Sequence, residues 1–371
     1  ETLYHRSLAD LIDPVEIVKN KAKSVDEIAD ELTTVFQTNA NALTPRGIGY
    51  CGVFSGGIDS SLGTSFMAEI RPPAHVIALQ FPGKDRISEQ LQPFEPILGQ
   101  SIETVPVSVD TFAGVIDEAY LAACGPLPTH SFISQAILSR CVQKQGLKIV
   151  VGGHGGDELF GGYESYRSLN TFGQFPESNP SIYSGVVPLG FEFAGWEPEE
   201  LAAENDARWT KFGEYFAWES DPAERVLQTV LYSDSTIELE SVGVREADTM
   251  SMLFSVEPRS FYLGWDVLRF VLNLPAVHKI HLAALDPDQV TRPAMKEIFA
   301  RRFSRELLLP KQGFSGFPNE VGEALLGGEY DLVGQVLGLT NIPRASGDAQ
   351  RAIEWKLMNM ELFLQRFRGF L

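Results

Sequence analysis

The feature that most constrains this chain is a short apolar run that ends in glycines and then starts a helix. Residues Ile48 to Phe54 are mostly apolar, broken only by glycines and Cys51, and read as a buried strand. Ser55-Gly56-Gly57 ends it, and Asp59-Ser60-Ser61 opens a helical pattern. Such a junction turns unpaired backbone N–H groups and the positive end of a helix dipole toward an anion. Two glycines let the backbone approach a phosphate closely, and the serine hydroxyls add donors. A bare Ser-Gly-Gly is equally a tight turn; the Asp59-Ser60 that follows favours the ligand site. A carboxylate is out of place in an anion cradle unless a cation such as Mg²⁺ sits between Asp59 and the phosphates.

The same alternation continues downstream. His75 to Phe81, Ser101 to Val107 and Leu147 to Val151 read as further strands. Between them Leu62 to Ile70, Ile87 to Leu98 (interrupted by Pro93 and Pro96), Val109 to Ala123 and Ser131 to Gln145 read as helices. Upstream, Ser24 and Glu27 form a capping box for a helix running through Ile28, Leu32 and Phe36. The spacing predicts the α/β class with a doubly wound parallel sheet, whose ligands bind beyond the carboxyl ends of the strands. Four regions are expected: an N-terminal extension (1–23), the α/β core (24–170), an excursion rich in Gly, Pro and aromatics (171–200), and a helical region (201–371). In the last, Pro222–Leu231, Ile237–Phe254, Trp265–Leu274, Pro293–Phe303 and Arg351–Phe370 carry apolar residues at helical spacing. No internal repeat is found.

Charge and cysteine usage exclude several classes. A formal net charge of −19 argues against a broad nucleic-acid surface, which needs clustered Lys and Arg. It leaves room for a small cationic pocket. No apolar run is long enough to span a membrane, and the chain opens Glu1-Thr2-Leu3-Tyr4 without the apolar segment of a signal peptide. The three cysteines, Cys51, Cys124 and Cys141, form no metal-like spacing. So sparse a set fits a reducing compartment, and a cytoplasmic location is expected.

A second glycine-dense junction follows the fourth strand. Gly152-Gly153-His154-Gly155-Gly156-Asp157-Glu158-Leu159-Phe160-Gly161-Gly162 has six glycines in eleven residues, a backbone suited to close approach or unusual dihedrals. It sits at the same sheet edge as the first loop. Asp59 and Asp157, one from each loop, can share a Mg²⁺ that neutralises a triphosphate.

At this point the chain resembles a known family. SGGIDSSL looks like the pyrophosphate-binding loop of the N-type ATP pyrophosphatases, and GGHGGDELFGGY like the second signature of the asparagine synthetase family, usually SGEGxDExFGGY. Ser255-Val256-Glu257-Pro258-Arg259 resembles the segment before that family's PFLD. Lys311-Gln312-Gly313-Phe314 resembles its late K-x-x-F element, and Lys296 the lysine of an upstream K-x-x-L-R. The resemblance covers about residues 24–320, the synthetase half of the family. It implies the ATP pyrophosphatase type of α/β fold and a two-step reaction, adenylation of a substrate carboxylate followed by displacement of AMP by an amine. It also implies site roles: Ser55, Gly56, Gly57, Ser60 and Gly153 for ATP and its pyrophosphate, Asp59 and Asp157 for Mg²⁺, and Lys311 with Lys296 for charge on the α-phosphate and the tetrahedral intermediate.

The departures from the family concern the acceptor. Only about 50 residues precede the first loop, too few for the glutaminase domain of asparagine-forming members, so glutamine hydrolysis in this chain is not expected. The Glu of SGEGxDE is His154. Relatives that make β-lactams place a Tyr there, partnered by a Glu, to deprotonate the amine. A histidine can do the same, with Glu246 or Glu240 as partner, or it can simply pack or cap the loop. The PFLD segment reads Phe261-Tyr262-Leu263-Gly264, and R-x-D reads Glu246-Ala247-Asp248. These changes suggest retained adenylation with a changed small-molecule or peptide carboxylate. The amine could be intramolecular, as in β-lactam synthetases and lasso-peptide cyclases, or separate, or ammonia from a partner glutaminase. A tRNA-modifying pyrophosphatase fits the acidity poorly, and a non-catalytic binding subunit fits the intact loops poorly.

Overall fold

The computed structural model describes residues 7–82, 87–163, 165–166, 169, 174–178, 180, 198–282, 284, 290–309, 331–337 and 347–367. Five strands, β1 (Cys51–Val53), β2 (His75–Gln80), β3 (Ile102–Pro106), β4 (Ile149–Gly152) and β5 (Glu257–Ser260), form one sheet in the order β3-β2-β1-β4-β5. Every neighbouring pair is parallel, with Cys51 opposite both His75 and Val150. The chain therefore builds outward from β1 to β3 and then returns to lay β4 on the other side of β1. The direction of winding reverses between β1 and β4, and the crevice beyond their carboxyl ends is where open α/β sheets bind ligands. Both glycine loops leave from there.

Alternation along the strands sends their side chains to two separate cores, and an all-parallel sheet needs both faces covered. Tyr50, Val76, Ala78, Ile149 and Val151 meet the helices Val25–Leu43, Ile58–Ile70, Trp265–Leu272 and Pro293–Arg302. Cys51, Ile77 and Val150 meet Val109–Ala123, Ser131–Lys144 and Met250, with Trp355 and Met358 of Gly347–Phe367 beyond. Phe36 anchors the first core, edge-on to Phe66, Phe160, Phe261 and Tyr262 at 5.3–6.2 Å between ring centres. It rides on the helix capped as expected: Ser24 Oγ accepts from Glu27 N, and Ser24 N donates to the Glu27 carboxylate at 2.8 Å.

Three features differ from the sequence reading. The stretch Ile87–Leu98 is not one helix but two short α-helical pieces, Ile87–Leu91 and Glu95–Leu98, joined by the 3₁₀ turn Gln92–Phe94. Pro93 and Pro96 each open a new piece, where a missing N–H does least harm. The helix expected over Ile237–Phe254 is π-helical over Asp234–Val244, inserted between Pro222–Ser233 and Arg245–Met252. Its start holds the buried Asp234, which accepts from the Tyr166 hydroxyl at 2.7 Å, and its Leu239 lies against Gly155 of the second loop. The helical region beyond 201 also contributes β5. Glu-Pro-Arg-Ser carries no strand signal, and Pro258 lacks a donor. It is tolerated because β5 is the sheet edge, paired with β4 alone.

Most of the excursion at 171–200 lies outside the described residues. Phe175, within it, stacks on Trp209 at 4.8 Å and under the Arg225 guanidinium, a packing role. No helix among the described residues is long and apolar enough to cross a membrane.

Candidate functional site

The first loop is ordered by its own serines. Ser60 Oγ accepts from Ser55 N at 3.0 Å and lies 3.0 Å from Ser55 Oγ, while Gly57 N donates to Ser55 Oγ at 3.3 Å. Gly57 is the N-cap of the thirteen-residue helix Ile58–Ile70 and caps it with no side chain, so the helix end is open to a ligand. Gly56 has φ +77°, a left-handed backbone that calls for glycine, and a Cβ there would press on the Cδ atoms of Leu91 and Leu309 at 2.8 Å.

The second loop lies directly on the first. A Cβ at Gly153 would be 3.0 Å from the Asp59 side chain and 3.2 Å from Ser60 N. One at Gly156 would be 2.3 Å from Asp59 Oδ1, and one at Gly162 would be 2.0 Å from Asp157 Oδ1. The glycines are thus the reason that Asp59 and Asp157 face one point. That point holds Nη1 of Arg292, 2.6 Å from Asp59 Oδ2 and 3.0 Å from Asp157 Oδ1. The Arg292 side chain is 5% exposed. Burial disfavours its charge, yet the two carboxylates outweigh that and hold its pKa above the ordinary value.

Arg292 was not among the sequence candidates. It is set in place by an antiparallel pairing: Ile280 bridges Thr291, His281 N donates to Val290 O, and Arg292 N donates to Lys279 O at 2.7 Å. Its backbone is left-handed (φ 54°, ψ 46°), just before Pro293 at the head of the helix Pro293–Arg302. A non-glycine residue held there stores on the order of 1–3 kcal/mol, and such strain gathers at functional sites. A signal was present: basic-x-x-apolar-basic fits Arg292-Pro293-Ala294-Met295-Lys296, whereas a start at Lys296 leads to Ala300. Lys296 is half-buried one turn after Arg292 and donates to Thr291 Oγ1 at 3.3 Å. Lys311 lies outside the described residues.

Asp59 and Asp157 suit a divalent cation. They already converge on one positively charged atom, and Mg²⁺ commonly takes one or two carboxylates with phosphate oxygens and water as the remainder. Among the described residues no group of three or more His, Cys, Asp or Glu side chains assembles elsewhere as a metal cage.

His154 projects from the second loop, its Nδ1 3.1 Å from where a Cβ on Gly152 would sit. Its Nε2 lies 4.0 Å from Glu246 Oε1. Glu246 is 6% exposed and accepts a hydrogen bond from the Ser131 hydroxyl. Of the two partners named from sequence, Glu246 is therefore the neighbour; Glu240 is exposed to solvent. Behind His154, Glu158 is buried and accepts from the Tyr163 hydroxyl. Burial first, and the Asp157 charge second, push the Glu158 carboxyl up to about 7.

Gly264 lies against Asn39. A Cβ there would fall 1.8 Å from Asn39 Oδ1, and Asn39 Nδ2 donates to Phe261 O at 2.7 Å within the core. The aspartate missing from the PFLD-like segment is thus a packing change: Asn39 occupies the space that a side chain at 264 would need.

Comparison with known proteins places most of the chain in one family. A family model described as asparagine synthase matches residues 48–347. Proteins of Mycobacterium bovis and Mycobacterium tuberculosis, provisionally described as glutamine-hydrolysing asparagine synthetases, are 25% identical over 341 residues, covering 81% of this chain and 49% of theirs. An amidase of Penicillium rubens is 32% identical over 71 residues, covering 19% of this chain and 11% of its own. The chain spans about half the length of the mycobacterial relatives.

Proposed function

The chain belongs to the asparagine synthase family, and from that premise we propose that it is an ATP-dependent, AMP-forming amide synthetase acting on a small-molecule or peptide carboxylate. The observation that carries the reading is the meeting of Asp59 and Asp157, from two glycine loops, at the switch point of a parallel sheet. In the first step a substrate carboxylate oxygen attacks the α-phosphorus of ATP and the bond to the β-phosphate breaks. The Ser55–Ser60 loop and the head of the helix Ile58–Ile70 bind the departing pyrophosphate. Asp59 and Asp157 would hold Mg²⁺, which neutralises the triphosphate.

In the second step an amine attacks the acyl carbon, the bond to AMP breaks, and the amine loses a proton. His154 accepts that proton at Nε2, which lies 4.0 Å from Glu246 Oε1. Lys311, with Lys296 beside Arg292, is assigned to charge on the α-phosphate and the tetrahedral intermediate. The test is pyrophosphate release dependent on a carboxylic acid, surveyed with and without amines. No stimulation by any acid, together with an Asp59→Ala protein indistinguishable from wild type, would refute it.

A second reading is favoured by the description of the mycobacterial relatives as asparagine synthetases: a synthetase unit that forms asparagine or a similar amide with ammonia from a separate glutaminase. Aspartate with ammonium salts, assayed for amide product, separates the two.

A further inference from the structure

We propose that Arg292 is a tethered cation that occupies the divalent-cation position of the Asp59–Asp157 pair while nucleotide is absent, so that the metal enters only together with the nucleotide. The inference rests on the assignment of that pair to Mg²⁺.

Two carboxylates forced together repel unless a cation lies between them. Here neither can turn away without loss. The Asp59 carbonyl is held by the Tyr262 hydroxyl at 2.9 Å, Gly156 shows how tightly the second loop closes on Asp59, and Gly162 how tightly that loop folds onto its own Asp157. A single nitrogen, Arg292 Nη1, serves both at 2.6 and 3.0 Å. Arg292 is anchored through its backbone, by Lys279 O and by the helix that Pro293 begins. Its reach into the site rests on the side chain alone, which can therefore withdraw while the loop stays.

Charge decides when it withdraws. A metal ion arriving alone would have to expel the guanidinium and leave a buried cation without its carboxylates, which is strongly unfavourable. A metal arriving on a triphosphate brings anionic oxygens that take up the released guanidinium and complete the metal's own ligand set. Metal and nucleotide are then coupled through Arg292, each tightening the other.

The test is Mn²⁺ binding, read by electron paramagnetic resonance on the full chain as a stand-in for Mg²⁺. Wild type, Arg292→Gln and the double variant Asp59→Asn/Arg292→Gln are each titrated without nucleotide and with the α,β-methylene analogue of ATP. A site closed nine times in ten by its own cation weakens ligand binding about tenfold. Nucleotide-free Mn²⁺ affinity should therefore rise about tenfold or more in Arg292→Gln and be lost again in the double variant. An Arg292→Gln protein that binds Mn²⁺ no tighter than wild type, while wild type binds it with the analogue, overturns the inference and leaves the metal assignment standing. Absence of protein-bound Mn²⁺ in every sample, with analogue included, overturns the assignment itself and the inference with it. Should Arg292→Gln not fold, wild type still decides: equal Mn²⁺ affinity with and without the analogue overturns the coupling.

Discussion

Replacing Gly156 by alanine isolates the contact between the two loops. Gly156 starts the short helix Gly156–Phe160 and has no left-handed backbone, so alanine brings no dihedral strain and the perturbation is steric. The added carbon would lie 2.3 Å from Asp59 Oδ1 and 2.6 Å from Asp59 Cγ, far inside any real contact. The Asp59 backbone is fixed in the first turn of its helix and by Tyr262. The carboxylate must therefore rotate, and it gives up Arg292 and the point it shares with Asp157. Overpacking of this kind costs about 1–3 kcal/mol, and a misplacement of about 1 Å near reacting groups lowers rate roughly 10²-fold. Urea unfolding should show the first, and carboxylate-dependent pyrophosphate release the second, in a protein that keeps its fold. Gly152→Ala is the comparison. Its added carbon meets only the His154 ring, at 3.1 Å, and should slow amide formation while sparing adenylation. Activity of Gly156→Ala within about threefold of wild type, less than 1 kcal/mol of barrier, would show that the loops do not hold Asp59 as described.

His154→Gln should slow amide formation by about 10²-fold or more while acyl-adenylate formation persists; equal loss of both half-reactions refutes the proton-acceptor role. Glu158 has a folded pKa raised to about 7 from 4.5, through burial and then Asp157. The folded state thus binds the extra proton between those values, and stability is lost as pH rises through that window. Glu158→Gln, which keeps an acceptor for Tyr163, should gain on wild type by on the order of 2–3 kcal/mol between pH 5 and pH 8. A constant difference in urea midpoint across that range would refute the shift. Gly264→Asp, which restores the family residue, should destabilise the fold by about 2 kcal/mol or more through collision with Asn39. Asn39→Ala should recover part of that in a double-mutant cycle, and simple additivity would show that the two do not meet.

What could be read from sequence was local. The Ser24–Glu27 cap, four of the five strands and the glycine loops after β1 and β4 depend on hydrogen bonds and backbone freedom within a few residues. Those interactions leave a mark in the order of residue types. Asp59, Asp157 and His154 could be chosen for the same reason, each sitting in a loop whose purpose shows in its glycines. The tertiary structure decided everything that needed a partner distant in sequence. It set β4 beside β1, which brings two loops about a hundred residues apart into contact. It recruited Glu257–Ser260 as an edge strand with no strand signal of its own. It selected Glu246 over Glu240 beside His154, and explained Gly264 by Asn39, a residue from another helix. Above all it placed Arg292 between the two acids. The motif that Arg292 heads names no partner; only the folded chain shows that two partly exposed carboxylates share its charge.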